Sequence, residues 1–362
     1  MASFVRRRTI RAITAVAAVT AAMVMAPIIT TTVSSLSASA FVLSDSSTTR
    51  KSYSRSTIIV YGSAVPSISS EEVRSRNLHQ LERLRERDRH SVEVKREDLK
   101  IIFEDDHIVC VDKPSGVLCV PSEEGIPTMA KAVFDYVSHK QSSLDKMVVH
   151  RLGMDTSGLV VFAKTMEALR GLNTLFRTRQ ITRVYEVLVC GHVSKDAGTI
   201  DLPLMRDYEH PPFMRVSTDH HQQALLGLDP AIVGKKLLEP PKPSQTRYEV
   251  ISRETLLDTD LPVSRLLLTS VTGRTHQLNV HCAAIGHPIV GDKVYGLNGD
   301  AAPNGGLELQ SSPGEMGTST LELQRDIASC FDNRNMCAHA QKLSFQHPVF
   351  NSPLTFESKA PF

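Results

Sequence analysis

The sequence predicts an α+β fold, a mixed and mostly antiparallel sheet with flanking helices and loops, on three observations. Strand-like runs are interspersed with only a few helical ones, a mixture that favours antiparallel pairing. Neither a regular βαβ period nor an internal repeat runs through the chain. The 362 residues, 41% apolar and 22% charged, have the composition of a soluble globular chain able to bury a core in one large or two ordinary domains.

In chain order, the first segment is a leader. Arg6, Arg7, Arg8 and Arg11 precede an Ala/Val/Met/Ile run to about Ile29 and then small residues, the pattern of a signal segment over 1–40 with cleavage at Ala40. Residues 41–69, rich in Ser, Thr, Arg and Lys, read as a disordered transit-type segment. The junction Ala38-Ser39-Ala40-Phe41 resembles the motif of bipartite plastid-targeting presequences of algae, which implies a plastid address; a mitochondrial or secretory one is the alternative. The apolar run is broken by Thr and stops at signal length, so no membrane contact is expected after processing. Residues 1–58 carry seven Lys/Arg and one Asp, which leaves the rest at net −4 against +2 for the whole chain. A globally basic nucleic-acid binder is thereby excluded, and any nucleic acid must be held in a local cationic groove.

Residues 70–98 read as a charged helix or linker, with Leu78, Leu81 and Leu84 at helical spacing and no expected catalytic role. The main domain is expected over 99–362. It opens with a strand pair over 101–121 turning at Lys113-Pro114-Ser115-Gly116, followed by a helix with Met129, Val133, Tyr136 and Val137 on one face. VVHRL and LVVFAK read as strands either side of residues 153–158, Glu167–Arg177 as a helix, and VYEVLVCGHV as a strand. The pattern is lost over about 211–243, which reads as a loop-rich insertion. TRYEVIS and RLLLTSV are strands; the helix after TGRTHQ places Leu278, Cys282 and Ile285 on one face before Gly286 closes it. Residues 298–325 read as a second surface loop. Six cysteines without CxxC pairs point to free thiols rather than to a disulfide framework or a zinc site.

Six motifs stand in one order: KPSG (113–116), HRLxxxTSG (150–158), RVYEVLVCG (183–191), GRTHQL (273–278), GHPIVGD (286–292) and a closing HA…LSFQHP…LTFESKAP. Together they resemble the RluA-type pseudouridine synthases over about residues 100–362, apart from the two insertions. The resemblance implies the pseudouridine synthase fold and the isomerisation of uridine in structured ribosomal or transfer RNA: the glycosidic bond breaks, the uracil turns, and it rejoins through carbon. It implies no cofactor and no metal. The target base must be extruded into the site. A monomer is the default expectation.

The resemblance also assigns roles by position. Tyr185 stacks on the extruded uracil, Arg274 pairs with the catalytic carboxylate, Arg151 holds the RNA around the nucleotide, and Leu278 lines the pocket. Arg183, with Lys164, Arg170, Arg177 and Arg179, is expected to line the groove through phosphate contacts. His150 is expected to bond locally rather than to move protons. The chain departs from the pattern at the nucleophile itself, for relatives read HRLD where this sequence has Gly153. Asp155 is the nearest carboxylate. Residues two apart in extended chain share a side at roughly 6–7 Å, so a shifted loop would bring Asp155 into the nucleophile's place, Gly153 permitting the shift. An unshifted loop would leave a protein that binds RNA with impaired catalysis. Zinc on His276 and His281 is disfavoured by their five-residue spacing, and a hydrolase triad on Ser157 and Asp155 by the absence of a G-x-S-x-G elbow.

Overall fold

The computed structural model describes residues 68–121, 123, 125–137, 143–307, 319–331 and 334–362. The leader readings up to residue 67 lie outside them. Eleven strands follow in chain order: β1 (Ile101–Glu104), β2 (Ile108–Lys113), β3 (Ser157–Ala163), β4 (Thr182–Cys190), β5 (Ala197–Asp201), β6 (Leu204–Arg206), β7 (Met214–Val216), β8 (Gln245–Thr255), β9 (Pro262–Ser270), β10 (Ala338–Gln346) and β11 (Pro353–Glu357). Nine form one sheet, ordered β1-β2-β3-β10-β4-β9-β8-β5 with β11 against β10, while β6 and β7 pair separately. The β3–β10 pair is parallel and the other pairings are antiparallel, as the α+β reading expects.

Period-two patterning buries β3 on both faces. Val160 and Phe162 face a cluster shared with Val109, Tyr185, Leu268 and the helices α2 (Met129–Tyr136) and α6 (Gln277–Ala284). Leu159 and Val161 face Cys110, Phe345 and the helix α3 (Met166–Arg177). The Gly of the TSG motif is what lets β10 enter the sheet beside β3. Gly158 has φ +110°, and a Cβ there would stand 2.5 Å from the Ala340 backbone.

Four local readings are corrected. The β1–β2 pair turns at residues 105–107 rather than at KPSG, because Asp105 Oδ1 accepts from the backbone N–H of His107 (2.7 Å) and Ile108 (2.8 Å). VVHRL is not a strand; only an isolated Val148–Phe162 bridge forms there. The 211–243 insertion is folded, containing β7 and two short helices, α4 (Asp219–Leu225) and α5 (Pro230–Val233). Thr218 and Asp229 cap those helices, so short polar residues that read as loop chemistry are start signals instead. The second irregular segment runs into a helix, α7 (Leu321–Phe331), with residues 308–318 outside the described ones.

The charged helix α1 (Ser70–Arg89) forms, its first turn capped by Ser69, whose side chain accepts from Glu72 N at 3.1 Å. Its packing face differs from the expected leucine stripe. Leu78 is 54% exposed, whereas Val73, 1% exposed, packs among Met205, Tyr208 and Leu225, and Leu84 packs against the cluster of Leu204 and Phe213. Burying one Val contributes about 1.5–3 kcal/mol, enough to seat the helix. No helix of the described residues is long and apolar enough to cross a membrane.

Candidate active site

Two motifs far apart in sequence build one loop. Lys113, fully buried, donates through Nζ to the carbonyls of Pro114 (2.8 Å), Val117 (2.7 Å) and Met154 (3.0 Å). Burial brings its pKa down to about 8. Ser115 Oγ donates to the Asp155 carbonyl at 2.7 Å and Gly116 N to that of Met154 at 3.0 Å. The KPSG turn is therefore the bracket that fixes the backbone of residues 153–156. From the other side, His150 Nε2 accepts from Val161 N at 3.0 Å while its ring packs on Phe176 at 4.8 Å. Burial, with Arg183 nearby, pushes its pKa down to about 3, so the ring is a neutral acceptor and an anchor, as expected.

At the position that the resemblance assigns to the aspartate, a Cβ on Gly153 would meet only Thr156 Oγ1, at 3.5 Å, an ordinary contact. The place of the missing side chain is thus open. The Asp155 side chain, 43% exposed, faces Arg87 Nη1 of α1 at 3.7 Å. Arg274 does not hold it. Its Nε and Nη2 donate to the Pro243 carbonyl at 3.3 and 3.2 Å, and no carboxylate of the described residues lies within ion-pair distance of its guanidinium. The expected Arg274–carboxylate pair is therefore absent, for two physical reasons: residue 153 offers no side chain, and Asp155 faces a different cation.

The other assigned residues do meet. Tyr185, 9% exposed, sits in mid-sheet between Ala340 of β10 and Leu268 of β9. It shares a cluster with Leu152 of the loop and, at the edge, with the half-buried Leu278 of α6. The GRTHQL turn is locked by Gln277, whose Oε1 accepts from Thr272 Oγ1 (2.7 Å) and Arg274 N (3.1 Å) and whose Nε2 donates to Gln245 O and Thr246 Oγ1 (both 2.9 Å). Gly273 leaves room for Arg183, whose Nη2 lies 2.7 Å from where a Cβ would stand. Arg183 lies over the Phe176 ring at 5.9 Å, its Nε enclosed without a partner.

Of the remaining basic residues, Arg151, Arg170, Arg177 and Arg179 are exposed. Lys164 is removed from the groove: it is 3% exposed and its Nζ is bound by the Glu104 carboxylate and the Asp105 carbonyl. Two arginines absent from the sequence reading belong near the site. His276 is surface-exposed, with its ring nitrogen partly covered, and desolvation followed by Arg87, Arg206 and Arg151 takes its pKa down to about 4. Its Nδ1 bonds Tyr295 Oη at 2.9 Å. No local pattern marked Arg87, which sits on a helix of alternating charges, or Arg206, which precedes the insertion.

The alternative chemistries find no support. His281 bonds Thr246 Oγ1 (2.9 Å) and Leu202 O (3.0 Å), away from His276. Asp207, Glu209 and His210 offer ligand atoms within 4.8 Å of one another. However, Arg215 stands against both carboxylates, 3.2 Å from Glu209 and 4.0 Å from Asp207, and repels a cation. Ser157 Oγ does meet a histidine, His339 Nδ1 at 2.8 Å, but both lie inside the sheet, 4% and 1% exposed, with no passage for a substrate.

The sequence matches the family described as RNA pseudouridylate synthase over residues 107–284. It is 41% identical over 203 residues to the dual-specificity RNA pseudouridine synthase RluA of Vibrio vulnificus, covering 56% of this chain and 70% of that one. It is 33% identical over 264 residues to the same-named protein of Pasteurella multocida, covering 73% of this chain and 94% of that one. The chain belongs to the RluA-type pseudouridine synthases. Human RNA pseudouridylate synthase domain containing 1 shares the fold, with a TM-score of 0.50 and 24% identity over 75% of this chain and 87% of that one. In this RluA-type chain the matched span runs from the turn before β2 to the end of α6, so it contains Tyr185, Arg274 and Gly153 but not α1 with Arg87.

Proposed function

We propose that the protein is an RNA pseudouridine synthase that receives a structured ribosomal or transfer RNA, extrudes one uridine beside Tyr185, and isomerises it with Asp155 as the acidic group of the loop. The reaction adds and removes no atoms: the glycosidic nitrogen–carbon bond breaks, the uracil turns, carbon 5 joins the sugar, and its proton is exchanged for one on the freed nitrogen. No cofactor or metal enters this reading. The supporting observation is that a chain 33% identical to a named synthase over 94% of it keeps the loop, Tyr185 and Leu278 around one cluster. Extrusion costs a few kcal/mol of unstacking, recovered from contacts around the flipped base. The protein acts as a monomer, and the leader addresses it to the plastid; a reporter fused to residues 1–69 that stays outside plastids would refute that address.

A second reading is favoured by one observation. With Gly153 at the nucleophile position and Arg274 on a carbonyl, the site is that of an RNA-holding relative with little isomerase activity. Carbodiimide mapping of pseudouridine in organellar RNA treated with the full chain separates the two. The first expects a wild-type signal that falls by about 100-fold or more in Asp155→Ala, since displacements near 1 Å already have effects of that size. A silent wild type with a signal in Gly153→Asp establishes the second; that variant fits the open space without backbone strain.

A further inference from the structure

We propose that Arg87 is a positioning residue for the Asp155 carboxylate, carried by α1 as a further arm of the bracket around the acidic loop. It rests on the first reading above, in which Asp155 is the acidic group of the isomerisation, and it brings in a helix that lies outside the span matched to the family, 107–284.

Direct bonds tie the end of α1 to the loop. Just past the helix, Val92 N donates to the Gly116 carbonyl at 3.1 Å, and the Ser91 hydroxyl donates to the Pro127 carbonyl (2.8 Å) and accepts from Leu118 N (2.9 Å). Gly116 N holds the Met154 carbonyl, so the helix end, the KPSG turn and the loop are joined in one hydrogen-bonded series. Arg85 and Arg89, four apart and on one face of the helix, stand 3.4 and 3.7 Å from Glu123. Arg87, roughly 200° round the helix from both, faces Asp155 Oδ2 through Nη1 at 3.7 Å. Towards its start α1 is held by Arg83 on Asp300 (2.6 Å), by Arg76 on the Glu209 carbonyl (3.2 Å) and by Ser70 Oγ, which accepts from Asp229 N at 2.8 Å. The guanidinium is thus carried on an element fixed at both ends.

The resemblance gives the carboxylate-pairing role to Arg274, which here donates to the Pro243 carbonyl. Arg87 is the one cation of the described residues within ion-pair distance of Asp155, and its Nε has no acceptor that would draw it elsewhere. The carboxylate stands two residues beyond the position that the resemblance assigns to it, and its partner comes from a different element to match. Both side chains are partly exposed, 41% and 43%, so the pair contributes little to stability. Its effect is on direction: a carboxylate without its cation samples other rotamers, and a displacement near 1 Å can already slow catalysis by about 100-fold.

The test uses the full chain and organellar RNA, with pseudouridine formation followed in time by carbodiimide mapping under excess enzyme and the Kd for the same RNA measured by filter binding. Arg87→Gln is expected to slow formation by about 10- to 100-fold with Kd unchanged. Arg87→Lys restores most of the rate, because a single Nη contact at 3.7 Å asks for a charge rather than a fork. Arg87→Gln added to Asp155→Ala brings no further loss, as for residues that act as one unit. Arg83→Gln, which frees the same helix from Asp300 without touching the loop, keeps the wild-type rate. An unchanged or faster rate in Arg87→Gln, an equal loss in Arg83→Gln, or a loss confined to Kd overturns the positioning role while leaving Asp155 its part. A wild type without signal overturns the Asp155 reading, and the role of Arg87 with it.

Discussion

His150 shows how a motif residue can serve structure rather than chemistry. It stands beside the family's nucleophile position, yet its pKa of about 3 and its bond from Val161 N make it a fixed neutral acceptor. His150→Ala leaves that buried N–H unpaired and is expected to lower stability by about 1–3 kcal/mol in urea unfolding. The cysteines give a second check at this scale. Cys110, Cys190, Cys282 and Cys337 are buried and their thiols pushed up to about 12, Cys119 is buried with its pKa raised, and Cys330 alone is exposed. Native protein should therefore react with a thiol reagent at Cys330 first, and at all six cysteines only after unfolding. More than one fast-reacting thiol in the folded state would contradict this packing.

At the scale of elements, the decisive contact is between β3 and the last long strand, β10. The TSG motif was legible as part of a site, but its glycine proves to be a packing requirement, set by a strand about 180 residues further on. Gly158→Ala puts a methyl 2.5 Å from the Ala340 backbone at a φ of +110°. It is expected to cost about 3 kcal/mol or more, or to prevent folding. A variant with an unchanged urea midpoint would show that β10 does not pair as described. The KPSG turn is similar: the sequence marks a turn, while the grip of Lys113 on the loop depends on where the Met154 carbonyl comes to lie.

Across the whole molecule, desolvated neutral histidines set the response to acid. His150 (about 3), His221 (about 4) and His276 (about 4) all lie below the ordinary value near 6.5, chiefly through desolvation. The unfolded chain then binds more protons than the folded one over this window, so stability falls as pH drops from about 6.5 towards 4. His281, His287 and His339, also lowered chiefly by desolvation, add to this, while Asp292, raised by burial, and His210, raised by its hydrogen bond to Asp207, work in the opposite direction. The urea midpoint should be lower near pH 4.5 than near pH 7, and His221→Leu should narrow the gap. An equal midpoint at both pH values would mean that these rings are solvated in solution.

By itself the sequence determined the family and the mostly antiparallel α+β sheet, and it put Tyr185, Arg151, Leu278 and Gly153 at motif positions, because motif spacing and period-two burial are local properties of the chain. It also marked Gly153 as a departure from the motif that the resemblance implies. Only the tertiary structure decided how charge is distributed around that gap: Arg274 turns to the Pro243 carbonyl, Lys164 is bound to Glu104, and Arg87 reaches Asp155 from a helix that reads as solvated surface. The reason is physical. A side chain's partner is set by which backbone or charge arrives beside it from a distant segment, and no window of neighbouring residues contains that information.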